Sequence, residues 1–140
     1  MNMKKLILVT SVVLGFSLQA NCQTPENTYT PRPDKIYTKV EVEAQFTGGD
    51  VAWRNFLQRH LRANTPINNG APSGSYTVIV KFVVTRTGTV GTMVAETSHG
   101  FGMEAEAIRL IKKTPNWIAA LNGGNVVHSY RRQPITFVVP

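Results

Sequence analysis

Residues 75–113 read SYTVIVKFVVTRTGTVGTMVAETSHGFGMEAEAIRLIKK, and they contain two different hydrophobic periods. Over residues 76–84 every second side chain is large and apolar and β-branched residues dominate, which predicts a β-strand. A turn containing Gly88 and a weaker strand over residues 89–96 complete a hairpin. From Met103 onwards the apolar side chains recur at helical spacing. The stretch therefore predicts a β-hairpin followed by one amphipathic helix.

Three flanking segments also show a regular apolar period. Residues 40–46 alternate apolar and polar side chains, which predicts a strand with one wet face. Residues 51–61 have a helical period, with Asp50 placed to cap the N-terminus. The apolar face of this helix consists of Trp53, Phe56, Leu57 and Leu61. The final run, QPITFVV at 133–139, alternates again, and Pro134 predicts a sheet edge because it has no amide hydrogen to donate.

The order of these elements is strand, helix, hairpin, helix and strand. It predicts an α+β domain in which a small antiparallel sheet carries two helices packed on one face. A right-handed crossover through the helix at 103–113 would place the last strand beside the strand at 75–85. Residues 114–130 have no clear period, and we expect the chain to turn at Asn122–Gly124.

The N-terminal residues have the composition of an export signal. Two lysines precede Leu6–Ala20, an uncharged apolar run of fifteen residues. As a helix this run would span roughly 22 Å, less than the roughly 30 Å of a bilayer's hydrocarbon core. We therefore expect a signal peptide at 1–22, an extended proline-containing leader at 23–38 and the domain at 39–140. If Leu6–Ala20 is retained instead, it becomes an inner-membrane anchor and the only membrane contact.

The single cysteine, Cys22, lies at the end of this signal. Cleavage after Ala20 keeps it in the exported chain, and cleavage after Cys22 removes it. Lipid attachment at Cys22 is disfavoured because Gln19 and Asn21 stand where that signal requires a leucine-like and a very small residue. Either way the exported domain has no internal disulfide and depends on its own core for stability.

The reactive side chains show no catalytic or metal-binding spacing. His60, His99 and His128 lie far apart, and none has a second ligand at a metal-binding spacing. Glu104 and Glu106 point to different sides of their helix, so they do not form an acid–base pair. The formal net charge of +7 is scattered, so nucleic acid is not an expected partner. The sequence predicts neither an enzyme nor a cofactor.

The last strand offers a different kind of site. The backbone groups along a sheet edge are unpaired and can bind another extended chain by strand addition. Two alternatives remain open at this point: the strand at 40–46 already covers this edge, or a second copy of the protein does.

Five segments, in order along the chain, together resemble one known family. They are VEVEAQFTGGDVAWRNFL at 40–57, GSYTVIVKFVVTRTGTVG at 74–91, EAIRLIKKTPNW at 106–117, NGGNVV at 122–127 and QPITFVV at 133–139. This frame resembles the C-terminal domain of TonB-family energy transducers, in the form common in Bacteroidetes.

The resemblance implies a periplasmic protein-binding domain in energy-coupled transmembrane transport. Its last strand would pair with the TonB box, a short extended segment of an outer-membrane transporter. The protein-binding residues that the resemblance implies are Arg131, Arg132, Gln133, Ile135, Thr136, Phe137 and Val138. Another extended periplasmic chain is an alternative guest. A self-assembling or structural domain, with a homodimer formed through the same edge and no transport role, is the alternative function.

Overall fold

The computed structural model of the protein describes residues 34–140. The elements are β1 (Ile36–Tyr37), α1 (Gly49–His60), α2 (Thr65–Asn68), β2 (Gly74–Val84), β3 (Val90–Ala95), α3 (Met103–Lys112), β4 (Ala120–Asn122) and β5 (Asn125–Val139). The architecture is α+β, as predicted. The predicted signal peptide and most of the predicted leader lie outside the described residues. No helix within the described range is both long and apolar enough to cross a membrane.

The sheet has the strand order β1-β5-β2-β3, with β4 also paired to β5. β2 and β5 form its centre as a long antiparallel pair that runs from Gly74 opposite Val139 to Val84 opposite Ser129. The last strand therefore lies beside the first strand of the hairpin, as the crossover predicts. β1 runs parallel to β5, so the sheet is mixed and not purely antiparallel as predicted.

The predicted strand at 40–46 is not a strand. It makes only two isolated bridges, Val42 with Leu121 and Gln45 with Ile118. Ala44 and Phe46 are nevertheless buried, as their alternation predicts, whereas Val42 on the same predicted face is 44% exposed. Alternation does not show whether the backbone has a continuous partner, and here the backbone contacts are limited to these two bridges.

The segment after α3 holds more strand than its sequence indicates. β4 and the first half of β5 form a hairpin, with Gly123 and Gly124 at its turn, where both have positive φ angles (58° and 74°). Ile36 and Tyr37, part of the predicted leader, pair with His128 and Ser129. The predicted turn is therefore correct, and the strands on either side of it were missed.

The core lies between the sheet and the helices. α3 packs its apolar stripe against the inner face of β2 and β3, and all of the stripe except Ile108 is fully buried. The fully buried side chains there include Val78, Val80, Phe82, Met103, Ala107, Leu110 and Ile111. An aromatic cluster attaches α1 to the same face, because Phe46 contacts both Trp53 and Trp117 and the Trp117 ring lies 5.1 Å from that of Phe82.

The start of α1 differs from the predicted cap. Gly48 is the N-cap residue in the left-handed region, and no side chain bonds to the helix start. The glycine turn lets the amide of Gly49 donate to the carbonyl of Phe46 at 2.9 Å. Asp50 therefore lies inside the first turn, where its charge favours the helix dipole without capping the helix.

Candidate protein-binding edge

The second half of β5 has a strand on one side only. β1 pairs with β5 at His128 and Ser129, and β4 pairs with it at residues 125–127. Beyond these, β2 is the only strand that pairs with residues 131–139 within the described range. The segment at 40–46 bridges to Ile118 and Leu121, so it does not cover this part of β5. We call residues 132–138 the open edge.

The register shows which backbone groups the open edge presents. Ile79 lies opposite Pro134, and its own amide and carbonyl bond to Thr97 Oγ1 (3.3 Å) and Glu96 N (2.8 Å), on the side of β3. Opposite residues of an antiparallel pair either both bond across it or both point away. Pro134 therefore turns its backbone outward, as do the other even-numbered residues. These outward residues are Arg132, Pro134, Thr136 and Val138.

The outward position explains why β5 tolerates a proline. A proline facing β2 would remove a ladder bond, whereas Pro134 removes only a donor at the edge. The Pro134 carbonyl accepts a hydrogen bond from Gln133 Nε2 at 3.3 Å. An incoming backbone amide would take the place of this side-chain donor.

Four of the predicted site residues fall into two groups by side-chain position. Ile135 and Phe137, each 1% exposed, point into the core. Thr136 and Val138 are exposed, and Val138 shows 64% of its surface. The Thr136 hydroxyl lies 2.9 Å from that of Thr77 on β2. The core residues thus hold the strand, and the exposed residues face solvent.

The two predicted site arginines are already paired with acidic residues of the same domain. Arg131 forms an ion pair with Glu43. Arg132 makes two hydrogen bonds to Glu96, of 2.7 and 3.0 Å, and these hold the pKa of Glu96 below its ordinary value. A carboxylate from a partner would have to compete with these internal partners.

A groove of about 350 Å³ lies beside the open edge, between α1 and β5. Its lining residues are Arg54, Leu57, Gln58, Leu61, Ala63 and Thr136. Leu57 and Leu61 are one helical turn apart and half-buried, so they form an apolar wall next to the strand. The sequence predicts these two leucines on the core face of α1 but gives no sign of a groove, because the groove arises only where α1 meets β5.

An ion pair on α3 fixes the end of α1. Glu106, 5% exposed, accepts hydrogen bonds from Arg109 Nε at 2.7 Å and from the Arg62 amide at 2.9 Å. Arg109 also donates to the His60 carbonyl at 2.8 Å. Burial alone would raise the pKa of Glu106, but the bonds from Arg109 and Arg62 outweigh it and the pKa is lowered. This contact positions the groove wall at Leu61.

We expect Glu106→Gln to lower the free energy of unfolding by about 1 kcal/mol at neutral pH, because it removes hydrogen bonds to a charged group. The pKa of Glu106 is lowered by folding, so the carboxylate stabilises the protein above its ordinary pKa and this stabilisation is lost as the pH falls through the folded pKa. Urea unfolding should therefore show a difference between wild type and variant that shrinks as the pH falls below the ordinary glutamate pKa of about 4.3. The exposed Glu41→Gln is the control, and a difference independent of pH would contradict this role.

Residues 75–139 match the family model described as Gram-negative bacterial TonB protein C-terminal. No curated protein and no solved structure matches the chain. Domains of this family are non-enzymatic, couple energy to transport, act in the periplasm and interact with TonB-dependent transporters. The matched range includes the whole open edge and leaves out α1. The family predicted from sequence is therefore confirmed, and this chain carries a domain of the TonB C-terminal family at residues 75–139.

Proposed function

We propose that this protein is an exported periplasmic binding module that receives the TonB box of an outer-membrane transporter as an added strand, in energy-coupled transport. The observation that best supports this is the open edge, which lies within the family match and has β2 as its only strand neighbour in the described chain. Residues 1–22 would be the export signal and 23–38 the leader.

The guest strand would lie about 4.8 Å from β5. It would bond to the outward amides and carbonyls of Thr136 and Val138. At Pro134 it would bond only to the carbonyl, because proline has no amide hydrogen to donate. Each backbone bond contributes only about 0.5–1.5 kcal/mol net, so side chains must supply part of the affinity. Arg131, Arg132 and Gln133 would flank the guest, while Ile135 and Phe137 hold the strand in register from the core.

Titration with a TonB-box peptide, followed by backbone amide signals and hydrogen exchange, tests this proposal. We expect the amides of Thr136 and Val138 to shift and to become protected from exchange. The amides of Ile135 and Phe137 face β2 and should show little change in protection. Protection gained elsewhere, with none at Thr136 and Val138, would contradict strand addition at this edge.

The alternative guest is a second copy of this protein, since the same exposed backbone and the exposed Val138 would serve a homodimer. Sedimentation separates the two functions. A transporter-binding module is expected to keep a monomeric mass over a wide concentration range. A dimer whose formation protects the Thr136 amide would instead favour the structural assembly.

A further inference from the structure

Strand β1 is held on β5 by little apolar contact. Ile36 is 39% exposed, and Tyr37 is the one residue of β1 that packs against the core. The backbone pairing covers only two residues, opposite His128 and Ser129. A segment with so few buried apolar contacts belongs to the least stable part of a domain. Side-chain contacts outside the core therefore decide how firmly β1 is held.

Asp34, two residues before β1, makes such contacts with two other parts of the domain. Its Oδ2 lies 3.1 Å from His128 Nε2, and its Oδ1 lies 3.4 Å from the Arg86 guanidinium. His128 Nδ1 accepts a hydrogen bond from the Arg86 amide at 3.3 Å, so Nε2 carries the ring proton that faces Asp34. We call Asp34, Arg86 and His128 the latch.

The latch joins three segments that are far apart in the chain. Asp34 precedes β1, Arg86 lies in the turn between β2 and β3, and His128 belongs to β5. The side chains of Asp34 and Arg86 are 59% and 52% exposed, so water screens their ion pair and the pair contributes little to stability. A contact of this strength can open without unfolding the domain.

β1 covers part of the edge of β5 that is open further along. The β2–β5 register is continuous from Val139 to Ser129, and the even-numbered residues of β5 turn outward along it. The same alternation turns Tyr130 and His128 outward, and β1 pairs with β5 at this point. Without β1, the free outward residues of the edge would begin at His128 instead of Arg132.

The chain after β1 is fixed separately. Val42 and Gln45 form backbone bridges to Leu121 and Ile118. Residues 38–41, between β1 and these bridges, form no bridge within the described range. β1 can therefore leave β5 while the segment that follows it stays in place.

We propose that β1 is a detachable cover on the edge of β5 and that the latch holds it closed. While Asp34 binds His128 and Arg86, the free edge is limited to residues 132–138. When the latch opens, β1 leaves, the free edge extends back to His128, and residues 34–37 lengthen the leader by up to about 13 Å. The latch acts in this way whichever chain binds the open edge.

Trypsin cleavage of the folded protein measures this opening, because Lys35 and Lys39 flank β1. We expect Asp34→Ala to raise the cleavage rate at these two lysines roughly two- to fivefold, the effect of losing an exposed ion pair. Glu41→Ala removes the same charge from the same segment but lies outside the latch, so its cleavage rate should match wild type. Equal rates in wild type and Asp34→Ala would overturn the latch.

Arg86→Gln tests whether the latch residues act together. It should raise the cleavage rate less than Asp34→Ala does, because His128 still binds Asp34. The double variant of Asp34→Ala and Arg86→Gln should be cleaved no faster than Asp34→Ala alone. Two effects that multiply in the double variant would show independent contacts and contradict a single latch.

Hydrogen exchange distinguishes the release of β1 from a general loosening of the domain. The amides of Tyr37 and His128 lie in the β1–β5 pairing and should lose protection in Asp34→Ala. The amide of Phe137 faces β2 and should keep its protection. Equal loss at all three amides would mean that Asp34 only stabilises the whole domain. Unchanged protection at Tyr37 and His128 would overturn the release of β1.

Discussion

Gly88→Ala should lower the free energy of unfolding by at least about 3 kcal/mol, a large effect for one methyl group. Gly88 has a φ of +82°, where alanine is strained, and a Cβ here would lie 2.0 Å from the Trp117 carbonyl oxygen. This oxygen belongs to the backbone, so no side chain can rotate away. The Trp117 amide also donates to the Gly88 carbonyl at 2.7 Å. The hairpin turn must therefore separate from Trp117, whose ring belongs to the aromatic core.

Gly91→Ala is the matched control in the same hairpin. Gly91 is not in the left-handed region, and a Cβ at this position meets no atom within 4 Å. We expect its unfolding free energy to stay within about 0.5 kcal/mol of wild type. Urea unfolding of both variants measures the difference. Equal losses would show that the close approach of Gly88 to Trp117 does not limit stability.

Thr136→Pro should weaken binding of a TonB-box peptide about thirtyfold while leaving the domain folded. The variant removes one outward amide, so the guest loses a hydrogen bond and keeps an unpaired carbonyl in the interface, for a total of about 2 kcal/mol. The ladder to β2 should remain intact because the amide of Thr136 faces away from it. Pro134, two residues earlier and in the same orientation, shows that β5 accepts proline there.

Thr136→Ala provides the control for the side chain. It loses the contact with the Thr77 hydroxyl but keeps the backbone donor, so peptide binding should stay close to wild type. Isothermal titration measures binding, and thermal unfolding of each variant checks the fold. Wild-type affinity in Thr136→Pro would place the binding surface elsewhere on the protein.

Gly88→Ala and Thr136→Pro probe different parts of the molecule. The contact between Gly88 and Trp117 joins the hairpin turn to the core, and its loss should reduce stability. The outward backbone groups of the open edge take no part in the β2–β5 ladder. Removing one of them should reduce peptide binding and leave the stability of the domain unchanged. A variant set that separates these effects would show that the domain's core and its candidate site are energetically distinct.

The sequence alone determined which side chains are buried in the hairpin, in α3 and at the end of β5. Their apolar periods are local properties, and the structure confirms them in Val78, Phe82, Leu110 and Phe137. The left-handed turn at Gly88 and the edge position of Pro134 were likewise predicted correctly. Each follows from what one residue type can or cannot do with its own backbone.

Only the tertiary structure decided which segments of the chain pair with another strand. The segment at 40–46 has the alternation of a strand but no ladder, whereas Ile36 and Tyr37 join the sheet without any apolar period. The groove beside the open edge, and the contact of Glu106 with the end of α1, were equally absent from the sequence pattern. Strand pairing and grooves depend on segments that are far apart in the chain, so local periodicity does not predict them.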